Sequence, residues 1–154
     1  QRCRRYLLDK RISISHSRAV FRRDLLLQRP YPQDLRSGED VAVFAYLLVS
    51  GAVLTTGQPV ARVHKHDDSL RHCRADEEAV ARGMVEAVFA HLPASCQSLR
   101  QRFAAQRYLS LFRAAWRVGD KPSAQRFYRA AWRFSPWQAL RPSYLGKALR
   151  ILLS

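Results

Sequence analysis

No stretch of 18 apolar residues occurs in the 154-residue chain, so no segment reads as a membrane-spanning helix. Cysteine is scarce: Cys3, Cys73 and Cys96 are odd in number and widely spaced. That argues against a disulfide framework and for reduced thiols in a cytosolic setting. The chain has no C-x-x-C pair of the kind a structural zinc site uses. It also has no glycine-rich phosphate loop and no Asp-x-Asp. The opening, QRCRRYLLDK, carries no initiator Met and no signal peptide, and reads as cut from something longer. Acids are the last shortage, 12 Asp and Glu against 27 Lys and Arg, for a net charge of +15.

The charge is unevenly spread. From Arg100 to the end, 12 basic residues meet one acid, Asp120, whereas most acids gather between Asp34 and Glu86. An excess of this size draws anionic partners such as nucleic acid, anionic lipid or nucleotide phosphates. With 47% hydrophobic residues, the chain has enough apolar material for one modest core.

Hydrophobic spacing divides the chain at about residue 74. In Arg11–Ser15, Ile12 and Ile14 alternate with Ser13 and Ser15, which predicts a short strand. Arg18–Leu27 predicts a short helix, ended before Pro30 and Pro32. Val41, Phe44, Ala45 and Leu48 recur at helical spacing, with Gly51 as the stop. AVLTT and VARVHKH, flanking Gly57-Gln58-Pro59, predict two strands about a turn.

Beyond residue 74 the pattern is helical. Asp76 is expected to cap a helix whose face is Val80, Met84, Val85, Val88, Phe89 and Leu92. A helix stopped by Gly119 and another opened by Asp120 and Pro122 follow. The string RAAWR, at Arg113 and again at Arg129, suggests a helical hairpin rather than a repeat array. The expected fold is therefore α/β, a small sheet with helices over residues 1–74, followed by a helical tail over 75–154.

Glu39 and Asp40 stand side by side behind Gly38, at the mouth of an apolar helix. One reading is structural: Ser37-Gly38-Glu39-Asp40 has the form of a capping box, and carboxylates in a first turn gain about 0.3–1 kcal/mol from the dipole. The other is chemical, because a carboxylate aimed by its helix can take a proton from an attacking hydroxyl. The dipole depresses a carboxylate pKa, which a base that receives its proton late in the reaction tolerates. The local motif leaves both readings open.

The wider segment SGEDVAVFAYLLVSGAVLTTGQPVARVHKHDDSLRH resembles the C-terminal half of the catalytic domain of family 2 glycosyltransferases, which have the GT-A fold. The resemblance is carried by Gly38-Glu39-Asp40, Gly51, Pro59-Val60 and His66-Asp67-Asp68-Ser69-Leu70, in that order. The upstream SISHSRAVFRRDLL and the helical tail also look like family segments, so it covers nearly the whole chain.

The resemblance implies inverting sugar transfer from a nucleotide-sugar donor to a glycan or lipid-linked acceptor of a bacterial cell surface. Asp40 would be the general base, and Glu39 would orient Asp40 or the acceptor. His16 and Ser17 are candidate acceptor contacts, with capping of the next helix as the equal alternative. Ser69 and Arg71 would meet phosphate, since a hydroxyl and a guanidinium fork both donate to anionic oxygens. A solvated surface charge is the other reading of Arg71.

A divalent metal, Mg or Mn, is also implied, with His66 completing its shell or touching the diphosphate. The missing Asp-x-Asp and nucleotide-binding half place its main carboxylate ligands outside this chain. The cluster VHKHDDSLRHC fits no strong metal motif by itself.

The competing class is a non-catalytic basic module for nucleic acid or anionic membrane. Arginines interleave with Phe103, Tyr108, Phe112, Trp116, Phe127, Tyr128, Trp132, Phe134 and Trp137 in the tail, as in single-strand binders. Rings at helical spacing are more often core, so nucleic acid is the weaker expectation. A peripheral contact with anionic lipid is the better use of the charge, giving a cytoplasmic protein at the inner membrane.

Overall fold

The computed structural model describes residues 1–154 apart from 36, 63, 65–76 and 153–154, and gives Leu152 as backbone alone. Its elements are α1 (Arg2–Leu7), a 3-10 turn (His16–Arg18), α2 (Arg23–Gln28), α3 (Glu39–Ser50), α4 (Glu77–Ala90), α5 (Ala94–Gln97), α6 (Arg100–Val118), α7 (Lys121–Phe134), α8 (Pro136–Ala139) and α9 (Pro142–Leu152). Among the described residues there is no strand.

This corrects the expected α/β class: the described residues fold as an all-helical protein. The alternation in Arg11–Ser15 was read on the right faces, since Ile12 and Ile14 pack against the core. What is lacking is a ladder, because a strand needs a second backbone to accept its hydrogen bonds. Residues 52–62 show the same failure more plainly. They form no regular element, and Leu54 is 95% exposed and Val60 63%.

Two apolar clusters hold the helices. The first takes Cys3, Tyr6 and Leu7 of α1, Val43, Phe44 and Leu48 of α3, Met84, Val88 and Phe89 of α4, and Phe103 at the start of α6. Cys3 and Cys96, distant in sequence, meet there as buried free thiols. The second takes Leu109 and Phe112 of α6, Ala124, Phe127 and Ala131 of α7, and Ala148 and Ile151 of α9. Ala81 of α4 joins it, so α4 and α6 each serve both clusters.

The helical hairpin expected from RAAWR is present, with α6 packed on α7. In each copy the second alanine, Ala115 and Ala131, is buried, and these small side chains let the helices approach closely. Gly119 ends α6 with φ +80°, and its N–H reaches the carbonyls of Ala115 and Trp116. Asp120 then caps α7 by accepting from the Ser123 N–H at 3.1 Å.

Side chains tie the loops to this frame. Buried Arg29 donates to the carbonyls of Pro30 and Ala87, both at 2.9 Å, fixing the end of α2 to α4. Gln97 donates to the carbonyls of Phe89 and Leu92, both at 2.9 Å, which serves the open end of α4. Gln106 of α6 donates to the Leu8 carbonyl at 3.1 Å and so anchors α1. Among the described residues no helix is long and apolar enough to cross a membrane.

Candidate functional site

The site is built around the first turn of α3. The N-cap is Gly38, not Ser37, and it stands at φ +80° with no side-chain cap bond. That left-handed backbone suits glycine, and a Cβ there would overlap Met84 Cε. The expected capping box is therefore not formed. The Val41 N–H instead bonds to the Gly38 carbonyl at 3.1 Å. Glu39 and Asp40 are both half-buried. Among the described residues neither carboxylate is spent on a cap.

Two prolines, Pro30 and Pro32, bracket Tyr31, whose hydroxyl lies 2.9 Å from His16 Nε2. The imidazole also packs on Phe44, one turn along α3 from Asp40, with ring centroids 5.0 Å apart. Phe21 stacks on the same ring at 5.3 Å. Burial raises the Tyr31 phenol pKa, and the negative charges of Asp40 and Glu39 raise it further. His16, Tyr31, Glu39 and Asp40 therefore share one neighbourhood.

A second phenol approaches Asp40 from the core. The Tyr6 pKa is raised chiefly by burial and then by the Asp40 charge, and Arg107 pulls the other way. Arg107 stacks over the Phe103 ring at 5.1 Å and donates Nη1 to Met84 Sδ at 3.8 Å, while its buried Nε has no partner among the described residues. Lys10 Nζ lies 5.9 Å from the same ring centroid. Burial first, and the Arg107 charge second, push the Lys10 pKa down to about 8. The arrangement is a carboxylate pair at a helix start, two phenols within its field and two cations behind.

Of the residues expected from sequence, His16, Glu39 and Asp40 come together here. His16 does so from a 3-10 turn and not from the end of a strand. Ser17 does not join them; it is exposed, and its hydroxyl pairs with that of Ser15 at 3.1 Å. His66, Ser69 and Arg71 lie outside the described residues, as does the expected Asp76 cap. Among the described residues no three His, Cys, Asp or Glu side chains are grouped to hold a metal ion.

Sequence reasoning missed Tyr6, Tyr31 and Arg107. Tyr31 carried one signal, its two flanking prolines; Arg107 carried none, because its link to α3 is purely tertiary. The tail's rings divide: Phe103, Tyr108, Phe112 and Phe127 are buried, whereas Trp116, Trp132, Phe134 and Trp137 keep exposed surface. Comparison with protein-family models, curated proteins and solved structures found no match.

Proposed function

We propose that this chain supplies the acceptor-activating part of an inverting glycosyltransferase. Asp40 takes the proton of an acceptor hydroxyl as that oxygen bonds to the anomeric carbon of a nucleotide-sugar. The bond from that carbon to the diphosphate breaks on the opposite face, and its electron pair leaves with the nucleoside diphosphate. Glu39 orients the incoming hydroxyl, and His16, held by Tyr31 and Phe44, offers the acceptor a hydrogen bond. The acceptor is a glycan or lipid-linked glycan. No step here is assigned to a metal ion.

One observation carries this reading: Asp40 stands in the first turn of α3, half-buried, with no cap bond among the described residues, beside a hydrogen-bonded His–Tyr pair. A capping-box carboxylate would be bonded to a backbone N–H at the helix start, whereas one in the first turn gains from the dipole without such a bond and keeps its oxygens available. The reading needs no sheet from these residues.

In the longest natural chain containing this sequence, nucleoside diphosphate release from UDP- and GDP-sugars is the readout. Asp40→Asn should slow release by about 10²–10⁴-fold while calorimetric donor binding stays within about twofold. Unchanged release would refute the assignment. Loss of both release and donor binding, with a lowered melting temperature, would make Asp40 a structural residue. A non-catalytic module predicts no release from either protein.

A further inference from the structure

We infer that a cleft between α6, α7 and α9 binds a single-chain amphiphile with an anionic head, of the alkyl or prenyl phosphate class. Its volume is about 340 Å³, inside the range of small-ligand sites. Phe112 of α6, Tyr128 and Trp132 of α7, and Ala148 and Ile151 of α9 give it an apolar wall. Arg129 and Arg133 line it as well. Four residues apart on one helix, they present two guanidinium groups on the same face.

Among the described residues those two arginines have no acidic partner. The ion pairs among the described residues are Arg4–Asp9, Arg22–Asp24, Arg100–Glu86 and Arg126–Glu78. The one acid after Arg100, Asp120, is engaged at the cap of α7. A forked pair of guanidinium groups matches the oxygens of a phosphate monoester. The apolar wall fits a chain and not a second charge.

Single-stranded nucleic acid fits less well, because it needs successive open ring faces. Here Phe112 is buried and packs against Tyr128 with centroids 5.2 Å apart, which leaves Trp132 as the exposed ring of the wall. The inference does not depend on sugar transfer, and its test needs none.

The full chain is titrated with monododecyl phosphate below its micelle concentration, following tryptophan fluorescence and, independently, calorimetry. Saturable one-to-one binding is expected. The double change Arg129→Glu, Arg133→Glu should weaken it at least about tenfold. Reversing Arg113 and Arg117, which line a separate cleft beside Trp116, should leave it within about twofold. Ala148→Trp, which fills the cleft, should abolish it with helicity unchanged by circular dichroism. Should that variant misfold, the surface arginine pair still decides.

The proposal is overturned if inorganic phosphate or neutral dodecyl maltoside binds as well as the phosphate monoester. It is overturned equally if both charge reversals weaken binding alike, or if a thymidine oligonucleotide displaces the ligand. A response only to phosphatidylglycerol vesicles would replace the cleft with a general surface contact and also refute it.

Discussion

Before α4 the helices are joined by irregular stretches, whereas from Arg100 onward α6, α7, α8 and α9 follow one another with one or two residues between them. The first region builds its cluster from segments far apart in sequence, α1, α3, α4 and the start of α6. The second draws mainly on neighbours, α6, α7 and α9. Helices close their hydrogen bonds within themselves, so a region made of adjacent helices needs little from elsewhere. The first region is where the chain departs from regular structure, and there it gathers carboxylates, phenols and an imidazole.

Whether the regions stand alone can be tested at α6, which spans both. Phe103→Ala in the first cluster and Phe112→Ala in the second should each cost about 3–5 kcal/mol, both rings being fully buried. Because α6 is continuous, urea unfolding followed by circular dichroism and by tryptophan fluorescence should give coincident transitions in both variants. Separate transitions would make the two regions independent.

Alkali should bear harder on the first region. Burial and the neighbouring Cys96 push the Cys3 thiol from 9.0 up to about 12. The unfolded chain thus gives up this proton first. Its contribution is whole below pH 9 and is lost as the pH climbs toward 12. Cys3→Ala should flatten that decline in chemical denaturation across the same window; an unchanged slope would sever the link.

A smaller effect separates two helix starts. Gly38→Ala places a side chain at φ +80° against Met84 and should cost about 2 kcal/mol in the urea midpoint. At the other start, Asp120→Ala removes a formed cap and should cost about 1 kcal/mol by thermal melting. Ser37→Ala, at the box that did not form, should change stability by less than about 0.5 kcal/mol. If Ser37 proved as costly as Asp120, the two starts would be alike after all.

The same contrast marks what was legible in the residues. In the tail, the Gly119 stop, the Asp120 start and the hairpin of the two RAAWR strings hold in the structure. Each is a local pattern whose physics is complete within a few residues. The alternation at 11–15 was real, but no second backbone reaches it among the described residues. Of the two strands expected about Gly57-Gln58-Pro59, the described part, 52–62, forms no regular element, and residues 63, 65 and 66 lie outside the described residues. The helix expected over Arg18–Leu27 shrank to Arg23–Gln28, since the Ser15–Arg18 side chains satisfy one another in a 3-10 turn.

At the candidate site, the adjacency of Glu39 and Asp40 could be read directly, and His16 could be named but not placed. Arg107 could not be found, because its relation to Asp40 runs through Tyr6 and depends on how α6 lies against α1.

Lys10 gives the first region a handle. Its pKa is lowered to about 8, chiefly because part of the side chain is covered although the residue as a whole stays exposed, so at mildly alkaline pH more of it is free amine than of an ordinary lysine. A sparing dose of an acylating dye would find a nucleophile there. The reporter would then sit beside Arg107, where it can register events around α3 without any change to the genetic code of the chain.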